Sequence, residues 1–68
     1  QGGTLPTVFN SADEAAVDLF IKGKIGYTDI TRLIAEAMEE IKNTPNPTVE
    51  QILETDKAAR ENVYGKIL

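Results

Sequence analysis

Glu36, Glu39 and Glu40 are the densest group of metal-ligating side chains in a chain of 68 residues. Carboxylates three or four residues apart share a helix face and could reach one cation. A metal centre inside a helical bundle also draws on His and on a second contributing helix, and the chain has neither His nor Cys. The triplet therefore reads as a solvated helix face. Asp13 and Glu14 are the other acidic pair, but neighbouring helix residues point about 100° apart and cannot face each other as a general acid and base. Asn10 and Glu14, at i and i+4, do share a side. As polar residues inside an otherwise apolar-periodic stretch, they read equally as candidate domain-interface residues, hydrogen-bonded against another domain, or as a plain solvated pair. A Ser-His-Asp or Cys-His set is excluded because its members are absent. Gly2-Gly3 lacks both the preceding strand and the Lys-Ser/Thr of a phosphate loop. A helix start at Thr4 to Thr7 could attract an anion, although capping by Thr4 explains the same residues. No residue of the chain is expected to be catalytic, cofactor-binding or metal-ligating.

The elements that carry these residues follow from periodicity. Leu5, Val8, Phe9, Ala12, Ala16, Leu19 and Phe20 recur at steps of three and four, the mark of one helix face. Ser11 and Glu14 also spell a capping box, which would start a helix at Ser11. The apolar period runs unbroken across that position and predicts an earlier start near Leu5, with Thr4 as N-cap and Pro6 in the first turn. Gly23 suits the left-handed position that ends a helix. Thr28 reads as the next N-cap, with Asp29 in the first turn and Ile30, Leu33, Ile34, Ala37, Met38 and Ile41 behind it. Pro45 and Pro47 forbid continuation. Thr48 and Gln51 make a second capping box, and Thr55 or Asp56 can cap a final helix.

The expected architecture is all-α, a small bundle of three to four helices at about 5–22, 29–42, 49–53 and 56–66. The expected core is Leu5, Val8, Phe9, Ala12, Ala16, Leu19, Phe20, Ile25, Ile30, Leu33, Ile34, Met38, Ile41, Ile52, Leu53, Val63 and Ile67. Arg60 and Lys57 with Glu61 read as surface pairs.

Composition narrows the function classes. A formal net charge of −4 repels a phosphate backbone, so no nucleic-acid partner is expected. No apolar run approaches the roughly 20 residues that span a bilayer, so no membrane partner is expected. The chain starts Gln1-Gly2-Gly3 without Met, which reads as a fragment, a processed end or a tag remnant. Acidic helical carrier proteins have similar size and charge, but their Asp-Ser-Leu attachment site is missing.

Gly2 to Val17, reading GGTLPTVFNSADEAAV, then Phe20, then Gly23 to Ile30, reading GKIGYTDI, resemble the C-terminal helical domain of the 1-deoxy-D-xylulose 5-phosphate reductoisomerases. That family carries Gly-Gly-Thr-x-Pro-x-Val-x-Asn-Ala-Ala-Asn-Glu-x-Ala-Val, a Phe, and Gly-x-Ile-x-Phe-x-Asp-Ile. Val49 to Arg60, VEQILETDKAAR, is similar to its closing segment. Ser11, Asp13 and Tyr27 stand where Ala, Asn and Phe are usual. The resemblance implies a longer, homodimeric, cytoplasmic bacterial enzyme that uses NADPH and Mg²⁺ or Mn²⁺, with its ligands upstream. It implies a structural role for this chain, which would bind no cofactor itself, with the upstream catalytic domain of the same chain as its partner. A face meant for that domain would lead the isolated piece to self-associate. The competing expectation is a free-standing helical interaction module.

Overall fold

A computed structural model describes residues 3–68; Gln1 and Gly2, and with them the Gln-Gly start and half of the Gly-Gly pair, lie outside the described residues. The fold is all-α, with α1 at Leu5–Ile21, α2 at Tyr27–Glu40 and α3 at Val49–Ile67. Helix α1 is the central element: α2 and α3 each pack mainly on it and touch each other less. Helix α2 turns back along α1 through a short connector, where the Phe20 and Tyr27 rings meet edge to face at 5.8 Å between centroids. Helix α3 runs parallel to α1, because Ser11 meets Asp56, Glu14 meets Arg60 and Asp18 meets Tyr64. These contacts advance together along both helices, about one turn at a time.

The early start of α1 holds, with Pro6 in the first turn, where no N–H is needed. Its cap differs from expectation. The Thr4 hydroxyl accepts no hydrogen bond from its own helix. Instead it accepts the backbone N–H of Thr44 at 2.9 Å. The Asn43 side chain supplies the cap from across the fold, its Oδ1 accepting the N–H groups of Thr4 at 2.9 Å and Leu5 at 3.1 Å. Thr4 is fully buried by this arrangement. Gly3 makes it possible: its φ is +82°, and a Cβ there would fall 2.6 Å from Asn43 Oδ1. At the other end, Gly23 N–H binds Phe20 O at 3.0 Å and Lys24 N–H binds Leu19 O at 2.9 Å. With Gly23 at φ +75°, this is the Schellman closure expected of Gly23.

Helix α2 starts two residues before the expected position. Gly26, not Thr28, is the N-cap, because the Asp29 carboxylate reaches back to accept Gly26 N–H at 2.8 Å. The helix ends at Glu40, before the expected 42, where Ile41 turns extended at ψ 119°. Helix α3 is one continuous helix, correcting the expected pair at 49–53 and 56–66. The Thr48–Gln51 box starts it, with Gln51 N–H to Thr48 Oγ1 at 3.1 Å and Thr48 N–H to Gln51 Oε1 at 2.9 Å. Asp56 does not cap, since its carboxylate is taken by the Ser11 hydroxyl and by Arg60 Nε. Without a Gly or Pro in Glu54-Thr55-Asp56, nothing offsets the backbone hydrogen bonds that a break would lose.

The core is Val8, Ala12, Ala15, Ala16, Leu19, Leu33, Ala37, Ala59 and Val63. Five of these nine are Ala, so the helices approach closely and leave little depth for large side chains. Leu5, Phe9, Phe20, Ile52 and Leu53, all expected in the core, are exposed, Leu53 at 63%. Phe9 and Phe20 lie at the edge of the alanine-lined stripe, and Leu5, Ile52 and Leu53 lie at helix starts beyond it. Ile25, Ile30, Ile34, Met38, Ile41 and Ile67 are half-buried against the core, together with Tyr64.

Three substitutions separate these backbone roles in urea unfolding of the chain. Asn43→Ala should cost about 1 kcal/mol, the usual worth of a lost cap. Gly3→Ala should cost about 1–2 kcal/mol from left-handed backbone alone, and more as Asn43 is displaced. Gly65→Ala, in α3 with open space around it, should stabilise by up to about 1 kcal/mol.

Candidate domain interface

Asn10 and Glu14 project from the middle of α1, and both are exposed. The helix carries them outward because Val8, Ala12, Ala15 and Leu19 claim its inner face. At the same outward spacing follow Val17, half-buried, and Ile21, which is 75% exposed. Asn10, Glu14, Val17 and Ile21 fall at i, i+4, i+7 and i+11, one stripe of the helix. Glu14 is held within the chain: Arg60 Nη2 donates to its Oε1 at 2.6 Å. The two sequence-predicted residues thus share a side of α1 but are not joined to each other.

Ser11, between them, turns inward and is nearly fully buried. Its hydroxyl donates to Asp56 Oδ1, which also accepts Arg60 Nε at 3.0 Å. Arg60 therefore bridges Asp56 on its own helix and Glu14 on α1, rather than pairing with Glu61 as expected. One turn further on, Tyr64 donates its hydroxyl to Asp18 Oδ2 at 2.7 Å, and Lys22 lies 3.2 Å from the same oxygen. The Ser11 and Arg60 bonds and the Tyr64 bond form a polar seam between α1 and α3. The Asp56–Arg60 spacing of four residues was a visible signal for half of it. Its partners on α1, some 45 residues away in the chain, gave none.

Two of the triplet, Glu36 and Glu40, are engaged in the same way, while Glu39 is exposed. Lys66 Nζ lies 2.7 Å from Glu40 Oε1 and 3.8 Å from Glu36 Oε1, and Asn62 donates to Glu40 at 2.9 Å. Glu36 also pairs with Arg32 at 3.2 Å. These carboxylates tie α2 to α3 and to itself. Among the described residues, no three ligand-type side chains converge on a metal position, every buried side-chain N or O has a hydrogen-bond partner, and no pocket forms.

The seam biases protonation. The Ser11 hydroxyl holds the Asp56 carboxyl below its ordinary value, with a smaller contribution from Arg60. Tyr64, and then Lys22, does the same for Asp18. Asp18 in turn pushes the Tyr64 hydroxyl above its ordinary value. The lowered carboxylates stabilise the fold fully above about pH 4, and that stabilisation disappears as pH falls through their folded values. Tyr64 contributes fully below about pH 10 and loses its contribution as pH rises through its folded value. Melting temperature against pH should show a plateau that falls at both ends. Tyr64→Phe should flatten the alkaline fall and part of the acid one, and an unaltered profile would contradict the seam.

The chain matches the family described as DXP reductoisomerase C-terminal domain over residues 1–62. It is 45% identical over 67 residues to a 1-deoxy-D-xylulose 5-phosphate reductoisomerase of Caldanaerobacter subterraneus subsp. tengcongensis, covering 98% of this chain and 18% of that protein. It is 47% identical over 66 residues to the protein of that name from Exiguobacterium sp., covering 97% of this chain and 17% of that one. The counterpart in Lachnospira eligens is 46% identical over 66 residues, again 97% and 17%. No solved structure matches the chain. The chain therefore spans less than a fifth of the length of these relatives. The glycine and threonine that lead into α1, the polar block in its middle and the Gly23 to Ile30 stretch all lie within the matched region, and the chain belongs to the DXP reductoisomerase C-terminal domain family.

Proposed function

We propose that residues 1–68 are the structural C-terminal domain of an enzyme that rearranges and reduces 1-deoxy-D-xylulose 5-phosphate to 2-C-methyl-D-erythritol 4-phosphate with NADPH, in non-mevalonate isoprenoid synthesis. The observation that carries this reading is family membership across nearly the whole chain, at 45–47% identity to relatives bearing that name. Their much greater length favours a domain of a larger enzyme over a free-standing module. The parent is read as a cytoplasmic homodimer. Among the described residues, no helix is long and apolar enough to cross a membrane.

NADPH and Mg²⁺ or Mn²⁺, the groups this activity requires, do not fit the described residues of this chain. Its acidic side chains at Asp18, Asp56, Glu36 and Glu40 are already engaged by Tyr64, Ser11, Arg60 and Lys66. Gly3, the described half of the glycine pair, is backed against Asn43 instead of opening toward a phosphate. Both groups belong to upstream parts of the parent, and no reaction step passes through this chain.

Its task is to buttress the catalytic domain, with Asn10 and Glu14 as polar contacts. The outward stripe of α1 supports this, since it sets an apolar Val17 and Ile21 beside two polar side chains. The same exposed apolar surface would let the isolated piece pair with itself. Because Glu14 already binds Arg60, its loss should cost the isolated chain under about 1 kcal/mol. In the full enzyme, Asn10→Ala with Glu14→Ala should lower the melting temperature by more than it does in the isolated chain, and should reduce turnover of 1-deoxy-D-xylulose 5-phosphate. Unchanged turnover and melting would sink the buttress.

A further inference from the structure

The exposed large apolar residues fall at the two ends of the bundle. Phe20, Ile21, Tyr27 and Leu68 lie at one end, where Phe20 and Tyr27 cover each other edge to face. Leu5, Phe9, Val49, Ile52 and Leu53 lie at the other. Leu5 and Phe9 share a side of α1 at i and i+4, and Val49, Ile52 and Leu53 share a side of α3 at i, i+3 and i+4. The pairings of Ser11 with Asp56 and Glu14 with Arg60 set the register between these helices. Continued backward, it brings 49–53 level with 4–8.

This second end is an open end of the core. Ile52, Asp56, Ala59 and Val63 form one stripe of α3 at i, i+4, i+7 and i+11. Ala59 and Val63 are fully buried, whereas Ile52 is exposed. One turn beyond Asp56, the stripe thus carries an apolar side chain past the point where this chain covers it. Thr4 is held at the same end by Asn43 and Thr44, and the register sets it level with the start of α3, where Ile52 and Leu53 are exposed.

Resting on the reading of this chain as the C-terminal domain of a longer enzyme, we propose that this end, formed by Leu5, Phe9, Val49, Ile52 and Leu53, is where the bundle docks on the preceding part of the same polypeptide. The position of Thr4 at this end selects that occupant. A tethered partner held beside an apolar surface docks at high effective concentration, and burying such side chains on association is favourable.

The test uses the full-length enzyme with a photoreactive benzophenone amino acid in place of Leu53, and a control with the same replacement at Ala35, exposed in the middle of α2 and outside both proposed contact surfaces. After irradiation and proteolysis, position 53 should yield cross-links to the upstream part of the same polypeptide, and position 35 several-fold fewer. Cross-links from 53 to a second copy, or none above the control, would overturn the proposal. In a second arm, Leu53→Glu should raise several-fold the rate at which protease cuts the chain just before Gly3, and an unchanged rate would overturn it as well. Turnover of 1-deoxy-D-xylulose 5-phosphate with NADPH by the unsubstituted protein is measured in parallel. Its absence would refute the functional reading while leaving the cross-link result to decide the docking surface.

Discussion

One amide oxygen ties the fold together. Oδ1 of Asn43 accepts the N–H groups of Thr4 and Leu5, two of the donors that every helix start leaves without an internal partner. Most helices satisfy such groups locally, with the hydroxyl or carboxylate of the N-cap residue. Here the Thr4 hydroxyl is turned to Thr44, and the cap arrives from the far side of α2. The start of α1 therefore depends on α2 having brought the loop back, and the loop is fixed by the helix it caps. Gly3 is the residue that permits so close an approach, through both its left-handed φ and its missing Cβ.

Beyond that lock, packing and polarity divide the work along α1. On its inner face, alanines let the helices approach closely, which gives dense contact but buries little area per residue. The seam of Ser11, Asp56, Arg60, Glu14, Asp18 and Tyr64 runs beside the alanines. Exposed ion pairs add little stability, but partners spaced a turn apart match one turn of α3 to one turn of α1, and slipping the helices would break all of them together. A polar cluster inside an apolar-periodic helix is thereby explained in part without any partner: Ser11 faces inward to Asp56, and Glu14 sideways to Arg60. Asn10 and the stripe that leads to Ile21 are what this explanation leaves over.

The sequence made the helical class, the early start of α1, the Gly23 terminus and the Thr48–Gln51 box legible, because each rests on periodicity along one helix or on residues within a turn of one another. It misplaced what depends on distant partners. Thr55 and Asp56 look like a cap until Ser11 and Arg60 claim the carboxylate. The start of α2 is a local exception: Thr28 is the commoner N-cap type, but Asp29 reaches back only three residues to Gly26. Leu5, Phe9, Phe20, Ile52 and Leu53 look like core because apolar periodicity reports which side of a helix is oily, not whether anything covers it. Ser11 is instructive: it stands where the family pattern has Ala, and only the structure shows that its hydroxyl has a specific partner. For the interface, the shared side of Asn10 and Glu14 could be read from spacing, whereas the Arg60 bridge needed the register between α1 and α3.

The central claim is that this bundle works by holding a larger enzyme together and contributes no chemistry. Amide hydrogen exchange, comparing the isolated chain with the same residues in the full-length enzyme, tests it most directly. A bundle that docks should gain protection in the full-length protein at the first turns of α1 and α3, where Leu5, Phe9, Val49, Ile52 and Leu53 are otherwise uncovered, and along the outer side of α1. Equal exchange in both proteins at every one of these amides would contradict it.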